Sequence, residues 1–363
     1  MYEYINSFMF FSKNNPSPIE LKPWHIILIF LAFFLSLIIA SWVKKIYYYF
    51  WLKKKYFVIP RPGIKGITNI AMVVSLSVAV LILMTIITSN LFSVLFRAFP
   101  GTRVTIEGIL IKIGGLLFGP FLGLIIGLLT DLLSVLMTAG IFHYGYFIAA
   151  LAYGMISGII RTIVTFSSQN KTKFAIYSTI IFVIMTVVTF LFVWRMLVNK
   201  GGIDIEFASI NIKIPIDYVV YAIFTFGVVS ILVIWAYFFI LKKNINSRKI
   251  NFRNKFFNET DNGEKTLTQN NFKKNKTDNY ILFCASFTCV VITEMLVNIQ
   301  AMPFFDAEVT SLSVDHWLSI RIGFFIPMII FNMGIIFPVY KIIYPLVTYN
   351  YENELSKALN DNL

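Results

Sequence analysis

The chain has 363 residues, of which 58% are hydrophobic and only 13% charged, with a mean hydropathy of +0.76. Soluble domains carry about 25% charged residues, so this composition excludes an ordinary soluble domain. The net charge of +13 does not indicate a nucleic-acid partner, because the basic residues collect in two loops between apolar segments.

Long runs without Asp, Glu, Lys or Arg recur along the chain, and about 20 apolar residues span a bilayer core. The expected fold is all-α: a polytopic helical membrane protein with helices near 23–43, 67–92, 104–118, 121–139, 145–165, 174–198, 216–241, 280–300 and 317–346. The start, MYEYINSFMFFSKNN, has no basic stretch before its apolar part, so no cleaved signal peptide is expected. The segment 104–118 is short and would reach about 22 Å. It is expected to form a hairpin with 121–139, broken at Gly119-Pro120, because proline cannot donate to the preceding turn.

Charge orients these spans. Lys44 to Lys65 holds seven Lys or Arg and Lys242 to Lys276 holds ten, whereas Ala301 to His316 holds none and carries Asp306, Glu308 and Asp315. Basic loops stay on the cytoplasmic side. The expectation is therefore N-terminus outside, C-terminus inside and 301–316 as an acidic outer loop. The Asn- and Lys-rich stretch 242–279 lacks apolar periodicity and is expected to be a disordered cytoplasmic loop.

Small residues recur at four-residue spacing: Gly115, Gly119, Gly123 and Gly127, then Ala150, Gly154 and Gly158. This spacing lets helix backbones approach closely in lipid. Ala71, Ser75 and Ala79 form a second stripe, which serves either internal packing or a partner surface. Cys284 and Cys289 share one apolar segment and read as packing residues.

The candidate site residues are the polar and aromatic groups near the expected outer ends: Arg103, His143, Tyr144, Tyr146, Phe147, Glu294, Asn298, Trp317 and Arg321, with Asp131 inside its span. Charges within the membrane are costly and face a cavity or a partner. For Arg321 three readings stand: ligand contact, snorkelling to the interface, or a structural pair with Glu294. The run from Phe142 to Phe147 is either an interfacial belt or a wall for a flat ligand, and its Gly145 favours the wall. Asp131 lies about three turns from the Gly119-Pro120 break, which favours a pocket role over satisfying the broken backbone. No enzyme motif is present: there is no P-loop, no GxSxG and no HExxH, and no metal or cofactor is expected. Energy for any transport must come from an ion gradient or a partner protein.

The stretches GGLLFGPFLGLIIGLLTDLL and GIFHYGYFIAALAYGMISGII resemble the substrate-binding S component of energy-coupling factor vitamin transporters, most closely the folate-type branch. The matching positions are Gly115, Gly119, Pro120, Gly123, Gly127, Asp131, Gly145, Phe147, Gly154 and Gly158. LVNIQ (Leu296 to Gln300) and WLSIRIGFFIP (Trp317 to Pro327) are similar to the family's last two helices. The resemblance covers 66–161 and 281–346. It implies a subunit of the cell membrane that captures a vitamin such as folate at its outer face. It also implies partners, a transmembrane scaffold subunit and two ATPase subunits, with Ala71, Ser75 and Ala79 as the docking stripe. The chain departs from the pattern at His143-Tyr144-Gly145-Tyr146-Phe147, where the family's proline and threonine are missing. It also adds spans that the family's smaller bundle lacks.

The expected organisation is an extra span and basic loop over 1–65, the first part of the bundle over 66–173 and two added spans over 174–241. The polar loop 242–279 and the last bundle helices and tail over 280–363 follow. A secondary transporter working alone and a membrane scaffold without a ligand are the alternatives. The lack of internal repeats weighs against the first, and the clustered outer polar residues weigh against the second.

Overall fold

The computed structural model describes residues 64–88, 101–138, 142–167, 171–197, 202–207, 210–256, 264–310 and 313–360, with isolated residues between 35 and 50. Most of the expected first span, 23–43, and the loop around Arg97 lie outside the described residues.

The protein is an all-α, multi-pass membrane protein. Its helices are α1 (Ile64–Thr88), α2 (Gly101–Phe118), α3 (Pro120–Thr138), α4 (Tyr144–Ser167), α5 (Lys171–Leu197), α6 (Ile216–Phe256), α7 (Glu264–Thr293), α8 (Met302–Val309) and α9 (Val314–Asn360). A π-helix, Glu294–Ala301, joins α7 to α8. Among the described residues, six helical stretches are long and apolar enough to cross a membrane: 120–137, 144–164, 174–197, 217–240, 279–309 and 314–344.

Glycine sets the packing of the first half. Gly119 is the one break between α2 and α3 and has φ +96, a conformation that L side chains rarely adopt. Pro120 then starts α3, where its missing N–H costs nothing. A Cβ on Gly154 would lie 2.0 Å from the Gly123 carbonyl oxygen, and one on Gly115 would lie 2.4 Å from that of Gly154. The backbones of α2, α3 and α4 are therefore in direct contact, as the four-residue spacing predicts. Pairing of Gly123 with Gly154 and of Gly127 with Ala150 makes α3 and α4 antiparallel. One more step of four in that register places Asp131 level with Tyr146.

The span 279–309 is 89% buried and 144–164 is 78% buried, against 22% for 314–344 and 28% for 217–240. So α4 and the α7–π–α8 rod form the centre, and the other helices turn apolar faces outward. Ile184, Phe224, Leu232 and Ile330 are examples of those exposed side chains. Exposed apolar surface of this extent suits contact with lipid.

Two sequence expectations are corrected. The stretch 242–279 is not a structureless loop: α6 runs on to Phe256 and α7 begins at Glu264. Apolar periodicity signals burial, whereas a helix already nucleated in the bilayer propagates through Lys, Arg, Asn and Gln at little cost. The stretch 301–316 is not an outer loop throughout, because the rod continues through α8 to Val309. Pro303 explains the π segment: it cannot donate to the Ile299 carbonyl and would crowd it in an α-helix, and the wider π turn accommodates this. The connection between α5 and α6 forms an antiparallel hairpin, β1 (Gly202–Phe207) with β2 (Ile210–Pro215), in register Gly202↔Pro215 to Phe207↔Ile210. Strand β1 packs against α9.

Candidate functional site

A chain of buried polar side chains runs along the centre of the bundle, from the π-helix to the end of α8. At its π-helix end Lys112 of α2 donates to Glu294 Oε1 at 3.2 Å, and the two side chains are 0% and 1% exposed. Asn332 of α9 donates Nδ2 to the same oxygen at 2.7 Å. The Lys112 ammonium also sits 4.6 Å from the centre of the Tyr153 ring, a favourable cation–π geometry. Glu294 is thus matched by a cation and two amides, which offsets the cost of a charge in the interior.

Asn298 is the joint of the chain. Its Nδ2 donates to Glu294 Oε2, which fixes the amide orientation, and its Oδ1 accepts from the Tyr153 hydroxyl at 2.6 Å and from Arg321 Nη1 at 3.5 Å. The π-helix brings Glu294 and Asn298, four residues apart, onto one inward face.

The second tier centres on Asp306, which is fully buried. Arg321 binds its Oδ2 through Nε at 2.7 Å and Nη2 at 2.5 Å, and Tyr146 donates its hydroxyl to Oδ1 at 2.9 Å. Glu294 and Asp306 are twelve residues apart on the rod, about 18 Å at the helical rise.

Beyond Asp306, at the end of α8, Tyr144 donates to the exposed Glu308, and His143 Nε2 lies 3.3 Å from the same carboxylate. Burial pushes the His143 imidazole below its usual value of 6.5, and pairing with Glu308 offsets part of that shift. The rings of His143 and Tyr144 lie 4.7 Å apart, tilted by 30°, and Phe305 meets Tyr144 edge-on at 6.0 Å. Gly145 has a packing role here, since a Cβ on it would lie 2.3 Å from Phe305 Cγ. The aromatic run therefore packs on itself and on α8.

The expected site residues are distributed as follows. Arg321, Asn298, Glu294 and Tyr146 meet in the buried chain, and His143 and Tyr144 stand at its exposed end against Glu308. Trp317 is buried and donates Nε1 to Thr310 Oγ1 at 2.7 Å, and Thr310 in turn donates to the Asp306 carbonyl at 2.7 Å, so Trp317 braces the end of α8. Phe147 lies beside the exposed Phe142, ring centres 5.8 Å apart, and takes no part in the chain. Asp131 is buried at the depth of Tyr146. Arg103 falls in the first turn of α2, and its side chain lies outside the described residues. Of the three readings left open for Arg321, the pair with Glu294 does not form: Glu294 pairs with Lys112 and Arg321 with Asp306. Lys112, Tyr153, Asp306, Glu308 and Asn332 were missed. For Lys112 and Asn332 a signal existed, one polar residue each in otherwise apolar stretches.

Ala71, Ser75 and Ala79 all face outward on α1, opposite the buried Val73, Val74, Ser77 and Val78. The Ser75 hydroxyl is satisfied within the helix, donating to the Ala71 carbonyl at 2.8 Å.

Comparison with known proteins adds a distant relative. The chain is 27% identical over 331 residues to the Uncharacterized protein MG098 homolog of Mycoplasma pneumoniae, covering 86% of this chain and 68% of that protein. No family model matches. No solved structure matches.

Proposed function

We propose that the protein is a membrane-embedded binding subunit that captures a small molecule at the outer end of its buried polar chain. In this reading it resides in the cell membrane and acts as the S component of an energy-coupling factor importer. A transmembrane scaffold and two ATPases drive the release of the ligand, a vitamin such as folate. The observation that supports it best is the joint at Asn298. There, three residues expected from sequence to contact ligand, Glu294, Asn298 and Arg321, converge with Tyr153 from the central helix α4. Charged groups at membrane depth mark ligand or ion paths. The test is affinity purification from native membranes, followed by identification of bound proteins and binding of a vitamin panel. Recovery of an ATPase pair and one saturable vitamin ligand is expected. A protein that purifies alone and binds none of the panel overturns the reading.

The alternative is a secondary transporter working alone, and the two buried ion pairs, Lys112–Glu294 and Arg321–Asp306, favour it. Such pairs serve proton relays in pumps. Uptake by liposomes holding the purified chain, an ion gradient and no ATPase selects this second reading.

A further inference from the structure

The π-helix end of the polar chain carries two unmet hydrogen-bonding groups of opposite kind. Lys112 has three N–H donors and no acceptor. One goes to Glu294 Oε1 and the Tyr153 ring face lies beside the ammonium, which leaves at least one donor. Asn332 must turn its nitrogen to Glu294, so its carbonyl faces away, and that oxygen has no donor among the described residues although the side chain is fully buried. Both residues bind the same Glu294 oxygen, which sets the ammonium and the Asn332 amide side by side on one carboxylate. An unpaired buried carbonyl at membrane depth has no solvent to turn to.

We infer that Lys112, Asn332 and Glu294 form a subsite for one neutral group that both accepts and donates a hydrogen bond. The group is a hydroxyl or primary carboxamide of a ligand, or a water in its place. It accepts from the Lys112 ammonium and donates to Asn332 Oδ1. An anion does not fit, because it meets Glu294 and the Asn332 carbonyl while the ammonium is already neutralised. A cation does not fit beside Lys112. The ligand as the source of this group rests on the binding function proposed above; the subsite itself does not.

The test is electron cryo-microscopy of the full chain in lipid nanodiscs, taken straight from its own membranes, at a resolution that shows ordered water. One density is expected at about 2.7–3.2 Å from both Lys112 Nζ and Asn332 Oδ1, and it is expected to be lost in Asn332→Leu. Continuous density running on to the Arg321 tier identifies a ligand as the source. An isolated sphere identifies water; it leaves the subsite standing and counts against the binding function. A direct Lys112–Asn332 bond with nothing between, or the same density in Asn332→Leu, overturns the subsite. Should Asn332→Leu not fold, the wild-type map decides alone.

Discussion

Asp306 holds Arg321 by two guanidinium nitrogens on one carboxylate oxygen, while its other oxygen accepts from Tyr146. The arginine is therefore structural: its charge is cancelled by Asp306 inside the bundle. This changes what its removal does. Arg321→Gln strands a buried carboxylate and is expected to lower stability by about 3–5 kcal/mol. Asp306→Asn in the same chain is expected to restore much of that loss, because the pair is coupled. Melting of the two single variants and the double variant in detergent closes the cycle. If the losses simply add, the pair is not coupled.

Gly154 and Gly123 are in backbone contact, so Gly154→Ala has no side chain that can move aside. Overpacking costs about 1–3 kcal/mol, and this position is expected at or above the top of that range. Gly334 offers the control, since nothing lies within 4 Å of a Cβ there. Gly334→Ala is expected to hold or raise the melting point, as alanine favours the helix by up to about 1 kcal/mol. Equal behaviour of the two variants contradicts close α3–α4 packing.

The outward stripe on α1 makes a separate prediction. Ala71, Ser75 and Ala79 are exposed on the outward face of α1, so Ser75→Trp is expected to leave the melting point of the isolated chain unchanged. Close approach by another helix needs small residues, so any complex docked on this stripe is expected to be lost in the same variant. Pull-down from native membranes reads the complex, and melting reads the fold. A destabilised isolated chain returns the stripe to internal packing.

What was legible in the sequence follows physical locality. Gly119-Pro120 announces its own break, because the constraint acts within two residues. Charge-free runs announce spans, and four-residue glycine spacing announces backbone contact. Asp306 was not legible: three acids with no base between apolar segments read as an outer loop, and only the widened turn before Pro303 carries the helix past them. Nor was the Lys112–Glu294 pair, whose members stand 182 residues apart and meet only once the bundle forms. The helical extensions beyond 241 and before 280 were hidden because polar residues signal exposure rather than the absence of a helix.

His143 provides a pH test at the Glu308 pair. Its imidazole titrates below 6.5 in the folded chain, chiefly through burial, with Glu308 pulling the other way. Between the folded and unfolded values the unfolded chain therefore binds more protons. Stability from this group is then present above about pH 6.5 and lost as the pH falls through that value toward the folded pKa. The difference in melting point between wild type and His143→Gln is expected to be constant near pH 7.5–8 and to shift against the wild type on acidification toward about pH 5. Comparing the two chains at each pH removes the titration that they share. A difference that moves in favour of the wild type on acidification means that the Glu308 pair outweighs burial and that His143 is charged.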